Sequence, residues 1–275
     1  MSVRQDGAPE ESEALSKKES PDRRARAEQM RKERERAARR RRNGITVGIV
    51  VIVLVLIGAA SFGVYQATSD DPESGSTPAA ATKAGGFVVD QEALTGKSSG
   101  KDPVEVVVYE DFQCPGCKAF ETSTRSIVDQ YIKDGTIEVE YRPLNFIDQG
   151  MGGQTEYSLK AANASICVYE DAGAKAFYDL HKLLFDNQEQ EGGPGFSDTE
   201  YTDYASEVGA DGIRSCISDM PYADFVEDTT SKFLEEGYGG TPTILVEGEV
   251  LKGESDNTLP TPEAFKAAID KAAKG

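Results

Sequence analysis

An almost unbroken β-branched run, VEVVVY at 104–109, stands a few residues ahead of CPGC, Cys114 to Cys117. Helical periodicity takes over directly after it. This junction constrains the fold more than any other feature. A short continuous apolar run of this kind fits a strand covered on both faces, the central strand of an α/β unit. After Pro115, the residues Phe120, Ile127, Val128, Tyr131 and Ile132 recur at helical spacing until Asp134 and Gly135 supply a stop. IEVEY at 137–141 then alternates apolar and acidic side chains, as a half-buried strand does. Strand, helix, strand in this order predicts parallel pairing through a right-handed crossover. FVV at 87–89 reads as a further short strand.

From about 151 to 238 the signals are helical only. EYSLKAANASICVYEDA sets Tyr157, Ala161, Ala164 and Cys167 on or near one face, and AKAFYDLHKLLFDNQ groups Phe177, Leu180, Leu184 and Phe185. Ser197 with Glu200 three residues on forms a capping box. TPTILVEGEVLKG returns to strand character with a turn near Glu247 and Gly248. TPEAFKAAIDKAAK closes the sequence as a helix opened by Thr261, with Pro262 at its first position. The pattern predicts an α/β domain over 86–275 with an all-helical insertion at about 151–238.

The segment before that domain is of another kind. Residues 1–43 hold 14 Lys and Arg against 9 Asp and Glu, and residues 44–65, GITVGIVVIVLVLIGAASFGVY, hold no charge. An apolar run of that length suits a transmembrane helix. The arginine-rich flank before it puts the N-terminus on the cytoplasmic side and the domain outside. A cleaved signal peptide, with Gly58, Ala59 and Ala60 at the cleavage site, is the competing reading; the long preceding segment and the long apolar run speak against it. Residues 1–43 are expected to be a disordered cytoplasmic tail and 66–85, rich in Ser, Thr, Pro, Gly and Ala, a flexible linker. The remainder carries 16 basic and 39 acidic side chains, a balance that repels phosphate backbones, so no nucleic-acid partner is expected.

The four cysteines decide the chemistry. A zinc site wants four close ligands. Cys167 and Cys216 lie far apart in the helical region, and the only histidine, His181, sits within FYDLHKLLF, where packing or capping suits it better than catalysis. No metal and no cofactor is expected. The simpler pairing joins Cys114 to Cys117 and Cys167 to Cys216, the second as a structural bridge; two long bridges between the sets stay open at this level. Cys114 ends a strand-to-helix connection and Pro115 begins the helix. The Cys114 sulfur therefore meets the free N–H groups and positive dipole end of a helix, which favour a thiolate. Cys117, one turn later, turns inward and stands ready to resolve a mixed disulfide. A close dithiol at such a junction is suited to thiol–disulfide exchange.

CPGC after an apolar strand, a helical insertion, then GGTPTILVEG at 239–248 resembles the DsbA-like branch of the thioredoxin superfamily, in its membrane-anchored actinobacterial form. The resemblance covers about 86–275. It implies a thioredoxin-like fold, with Cys114 and Cys117 as catalytic residues and Pro115 and Gly116 as the motif between them. It also implies a cis peptide bond between Thr241 and Pro242 beside the dithiol, where a substrate strand binds by β-augmentation. The implied function is a membrane-tethered, extracytoplasmic oxidoreductase that introduces disulfides into secreted proteins and is reoxidised by a membrane partner of DsbB or VKOR type. Two departures stand out. Gly116 replaces the histidine frequent in DsbA-type oxidases, which implies a weaker oxidant. Val108 occupies the position six residues before the first cysteine, where the family often carries a buried glutamate; Glu110 and Asp111 lie near, and neither is assigned that role. The other readings are a reductase or isomerase, for which no dimerisation segment of the isomerase kind is seen, and a chaperone-like binding module with a vestigial dithiol.

Overall fold

The computed structural model describes residues 75–98, 100, 102–255 and 258–274, all within one compact unit, Glu73–Gly275. The tail, the apolar span at 44–65 and the first part of the expected linker lie outside the described residues. Among the described residues, no helix is long and apolar enough to cross a membrane.

Strands β1 (Phe87–Val89), β2 (Val104–Glu110), β3 (Ile137–Pro143), β4 (Thr243–Val246) and β5 (Glu249–Val250) form one sheet in the order β1-β3-β2-β4-β5. β2 pairs parallel with β3 and antiparallel with β4, while β1 and β5 close the edges in antiparallel fashion. The central place of β2 explains its unbroken apolarity: Val106, Val107, Val108 and Tyr109 are all buried, with side chains on both faces. β3 sends Ile137, Val139 and Tyr141 into the core. The acidic side chain of Glu140, between Val139 and Tyr141, is also buried, and it accepts from Arg142 Nε at 2.9 Å and Thr82 Oγ1 at 2.6 Å.

Thr82 belongs to the stretch expected to be a free linker. From Gly75 onward that stretch instead lies on the domain. The Ala80 amide donates to Glu170 at 2.8 Å, and the Thr82 and Gly86 amides bond back within the segment. The segment forms no regular element, yet its hydrogen bonds fix it to Glu170 and to Glu140 of β3. The folded unit therefore begins about ten residues before Gly86.

The helices are α1 (Gln91–Thr95), α2 (Pro115–Lys133), α3 (Phe146–Gly150), α4 (Tyr157–Asp186), α5 (Asp198–Glu207), α6 (Arg214–Asp219), α7 (Ala223–Glu235) and α8 (Pro262–Ala272). α2 buries Phe120, Thr124, Val128, Tyr131 and Ile132, one stripe at helical spacing, and stops where Gly135 takes a left-handed φ of 73°. The α2 and α8 stripes meet through Phe120 and Phe265, 5.4 Å apart between ring centres. The two helical patterns read at 157–187 are arms of one element, interrupted at Gly173 (φ 80°, ψ −177°). That backbone conformation suits glycine. The capping box of α5 and the Thr261 cap of α8 are both formed. β4 turns into β5 through Glu247 and Gly248, both at positive φ, as a two-residue hairpin requires. Helices α3 to α7 stand between β3 and β4 in sequence; α3 to α6 build a second core around Tyr157, Leu180, Phe185 and Tyr201, while α7 places Val226 and Phe233 in the cores on the sheet. The second core reaches the CPGC turn through Phe112.

Candidate active site

β2 ends at Glu110, and three residues lead to α2. Cys114 is its N-cap, in extended conformation, and Pro115 takes the first helical position, where a missing N–H costs nothing. Both cysteines are free thiols. Cys114 is 9% exposed and Cys117 2%, so both sulfurs are buried and the first lies nearer the surface. The Thr241–Pro242 bond is cis, and the Cys114 Sγ–H donates to the Thr241 carbonyl at 3.2 Å. A Cβ at Gly116 would stand 3.4 Å from the Thr241 carbonyl oxygen and from Pro242 Cδ, and 3.5 Å from the Cys114 sulfur. The turn and the proline loop thus meet across Gly116.

The two sulfurs are electrostatically unlike. A hydrogen bond from Cys117, helped by the Thr241 side chain and the amides of Cys117 and Gly116, brings the Cys114 pKa down to about 6 against the opposing effect of burial. The Thr241 carbonyl contact holds only the neutral thiol; the donors aimed at the thiolate outweigh it. Cys117 is pushed well above the ordinary thiol range, by burial first and then by its bond to Cys114. Near neutral pH the pair therefore carries one charge, on the outer sulfur.

The helical insertion holds this turn in place. Gln188, just past the end of α4, donates through Nε2 to the carbonyls of both Phe112 and Cys114, each at 2.9 Å. Asp111 is fully buried; it accepts from the amides of Gln113 and Ile147 at 2.9 Å and from Ser158 Oγ at 2.7 Å. Burial raises its pKa to about 7. Gln113 donates to Asp148 at 2.7 Å and Ser158 at 2.6 Å, and the Gly192 amide donates to Gln113 at 3.0 Å. These partners lie far apart in the chain, and only the polar stretch EDFQ inside a buried segment hints at them. On the sheet side, the buried Glu110 and His181 meet at 2.9 Å. Cys167 and Cys216 are joined in a disulfide that ties α4 to α6, well away from the dithiol in sequence.

A family model described as thioredoxin matches residues 91–271, well over half of the chain. The chain belongs to the thioredoxin family. Disulfide bond formation protein D of Bacillus subtilis is 28% identical over 183 residues, covering 64% of this chain and 76% of that protein. Among solved structures, oxidised DsbA of Mycobacterium tuberculosis aligns with a TM-score of 0.56 at 27% identity, over 69% of this chain and 93% of the other. Reduced DsbG of the same organism aligns at 0.55 and 27%, over 70% and 95%. These likenesses place the chain in the DsbA-like branch, and it is a thiol–disulfide oxidoreductase.

Two expected results follow for this DsbA-like chain. The rate of alkylation of the reduced protein by iodoacetamide rises with pH through a midpoint near 6, because only the thiolate reacts. A single midpoint near 9 would contradict the geometry. At position 116 an added Cβ meets only van der Waals contacts, one of them the Cys114 sulfur at 3.5 Å, so Gly116→His introduces its imidazole close to that sulfur. It should move that midpoint down by about one unit and make the dithiol a stronger oxidant, since the stabilised thiolate belongs to the reduced form. An unchanged midpoint and redox equilibrium would show that the ring does not reach the sulfur.

Proposed function

We propose that the chain is a membrane-tethered, extracytoplasmic oxidase that introduces disulfides into secreted proteins through Cys114 and Cys117. The observation that carries this reading is the unlike pair of sulfurs: a low-pKa Cys114 nearer the surface and a more deeply buried Cys117 of high pKa. A substrate thiolate attacks the Cys114 sulfur of the Cys114–Cys117 disulfide, and the Cys117 sulfur leaves with the electron pair. The second substrate thiolate then attacks the substrate sulfur of the mixed disulfide and releases Cys114, which leaves readily because its thiolate is stabilised. The substrate has lost two electrons and the dithiol has gained them. A membrane reoxidant of DsbB or VKOR type would remove them. An open groove of about 590 Å3 runs past Thr241 and Pro242, with the exposed Val250 and Leu259 on its wall. It offers an extended polypeptide a mainly polar groove, with these two apolar side chains in it, next to the Thr241 backbone.

The direction of the reaction is tested by mixing the oxidised chain with a reduced dithiol peptide in stoichiometric amount. Conversion of most of the peptide to its disulfide supports the oxidase. A peptide left mostly reduced, together with rapid reduction of a peptide disulfide by the reduced chain, supports the reductase instead.

The tether rests on the uncharged span at 44–65 and its arginine-rich flank. Protease added outside intact cells should digest the domain and spare residues 1–43. A soluble mature protein starting near Ser61 would contradict the anchor.

A further inference from the structure

Tyr109 is the last apolar residue of β2 and lies on the sheet face turned away from α2 and α8. It shares a small separate core there with Val107, Leu144, Phe233 and Leu245. The residue is buried, yet its hydroxyl is the centre of a polar network. It donates to Glu236 Oε2 at 2.9 Å and accepts from Arg142 Nη1. The Arg142 guanidinium carbon stands 4.9 Å from the centre of the Tyr109 ring, and Nε donates to the buried Glu140 at 2.9 Å. An ion pair buried in this way is costly for a contact that only stabilises. Burial first, and then the bond to Glu236, push the Tyr109 pKa up to about 12. The hydroxyl therefore keeps its proton, and with it the bond to Glu236, at any pH where thiol exchange runs.

The place of Glu236 gives the network its use. It is the C-cap of α7, and the stretch GYGG at 237–240 leads from it to Thr241 and Pro242. Tyr238 packs its ring against those of Tyr109 and Phe233, with ring centres 5.4 Å apart in each case. Beyond the proline, Thr243 stands opposite Tyr109 in the β2–β4 ladder, and its Oγ1 donates to the Gly240 carbonyl at 2.7 Å. Tyr109 thus holds both ends of the loop at 236–243. Its side chain holds the end before Thr241, and its backbone is in register with the end after Pro242. Between them Gly239 and Gly240 are exposed and have no side chains to pack.

We propose that Tyr109, with Arg142 and Glu236, is a positioning residue for substrate docking: it fixes the Thr241 backbone where an extended substrate strand pairs with it. The proposal rests on the reading of Thr241 as the docking edge and adds the residues that hold this edge still. They act through the loop, from the far face of the sheet. A loop that wanders must be ordered each time a strand binds, and that ordering weakens binding. A small thiol that attacks Cys114 without pairing to the loop escapes this cost.

The test compares two thiols on the oxidised full chain. One is a short peptide with a single cysteine; the other is cysteine blocked at both termini, which offers the same thiol and no strand. The initial rate at which each, in excess, reduces the Cys114–Cys117 disulfide is read by acid quench and trapping of the freed thiols. In the wild type the peptide is faster. Tyr109→Phe keeps the ring and loses the hydroxyl; it should cut the peptide rate about tenfold and the blocked-cysteine rate less than about twofold. Glu236→Ala should show the same split. Glu236→Gln, whose side-chain carbonyl still accepts from Tyr109, should stay within about twofold of wild type on both thiols. A wild-type peptide rate in both Tyr109→Phe and Glu236→Ala overturns the proposal. So does an equal fall with both thiols, which would put the damage at the dithiol, and so does Glu236→Gln as slow as Glu236→Ala. A wild type that does not favour the peptide overturns the strand-docking reading instead. If Tyr109→Phe fails to fold, Glu236→Ala decides, since Glu236 is exposed at the end of its helix.

Discussion

Cys117→Ala should capture substrates as mixed disulfides at Cys114, while Cys114→Ala should lose exchange altogether. The asymmetry comes from where the backbone leaves each sulfur. Cys114 caps α2, meets the first-turn amides and lies nearer the surface; Cys117 is carried inward by the helix and is 2% exposed. Without Cys114 no sulfur is both ionised and near the surface, because Cys117 is held well above the ordinary thiol range. Without Cys117, a substrate bound to Cys114 that has no second thiol of its own can be released only by an external thiol. Losing an attacker already in place should slow escape by on the order of a thousandfold. Non-reducing gels of the two variants mixed with a single-cysteine substrate protein, supplied as its thionitrobenzoate disulfide, read the result: the Cys114 thiolate displaces thionitrobenzoate and keeps the substrate. Mixed disulfides that accumulate only in Cys114→Ala would reverse the two roles.

The joint change Cys167→Ser with Cys216→Ser should lower stability strongly and chemistry little. The bridge spans 49 residues, and closing a loop of that length in the unfolded chain is worth about 4 kcal/mol in the chain-entropy account. For a domain of this size that corresponds to a fall in melting temperature of about 10 °C. The bridge joins α4 to α6, whereas the CPGC turn is held by Gln188, Gln113 and Asp111. Below the new melting temperature the alkylation profile of Cys114 should therefore match wild type. A scanning calorimetry trace that does not move would contradict the stabilising role. Loss of Cys114 reactivity in the folded double variant would show that the bridge also shapes the site.

The elements nearest the dithiol were the ones most legible in the sequence, and periodicity explains why. β2 shows an unbroken apolar run because β3 and β4 flank it and both its faces are covered. α2 shows a single stripe because one face meets the core. The caps at Ser197 and Thr261 are local devices and were readable as such. What surrounds the sulfurs was not. Glu110 and His181 are 71 residues apart, and Gln188 and Cys114 are 74 apart; no local pattern announces a contact made only when the insertion folds back on the sheet. The apolar helical pattern around His181 points to packing, and its ring does pack against aromatic side chains; its bond to Glu110 has no local signal. The stretch at 75–85 departs from the expected linker for a related reason. Its Ser, Thr and Ala content signals the lack of regular structure, but says nothing of the hydrogen bonds that Ala80 and Thr82 make to Glu170 and Glu140.

The central claim is that Cys114 and Cys117 form an oxidising couple, and its size can be bounded. With a pKa of about 6 in place of 9.0, Cys114 favours the reduced form at pH 7 by about tenfold, at most about 30 mV for a two-electron couple and less where water screens the sulfur. Such a shift moves the pair off a thioredoxin-like value without reaching that of the strongest oxidants, in keeping with Gly116 in place of histidine. The most direct measurement is the equilibrium of the Cys114–Cys117 pair in glutathione buffers of graded ratio at pH 7, read by trapping the free thiols. The account predicts a reduction potential between about −270 mV and about −120 mV. A value at or below about −270 mV, where thioredoxin works as a reductant, would contradict it.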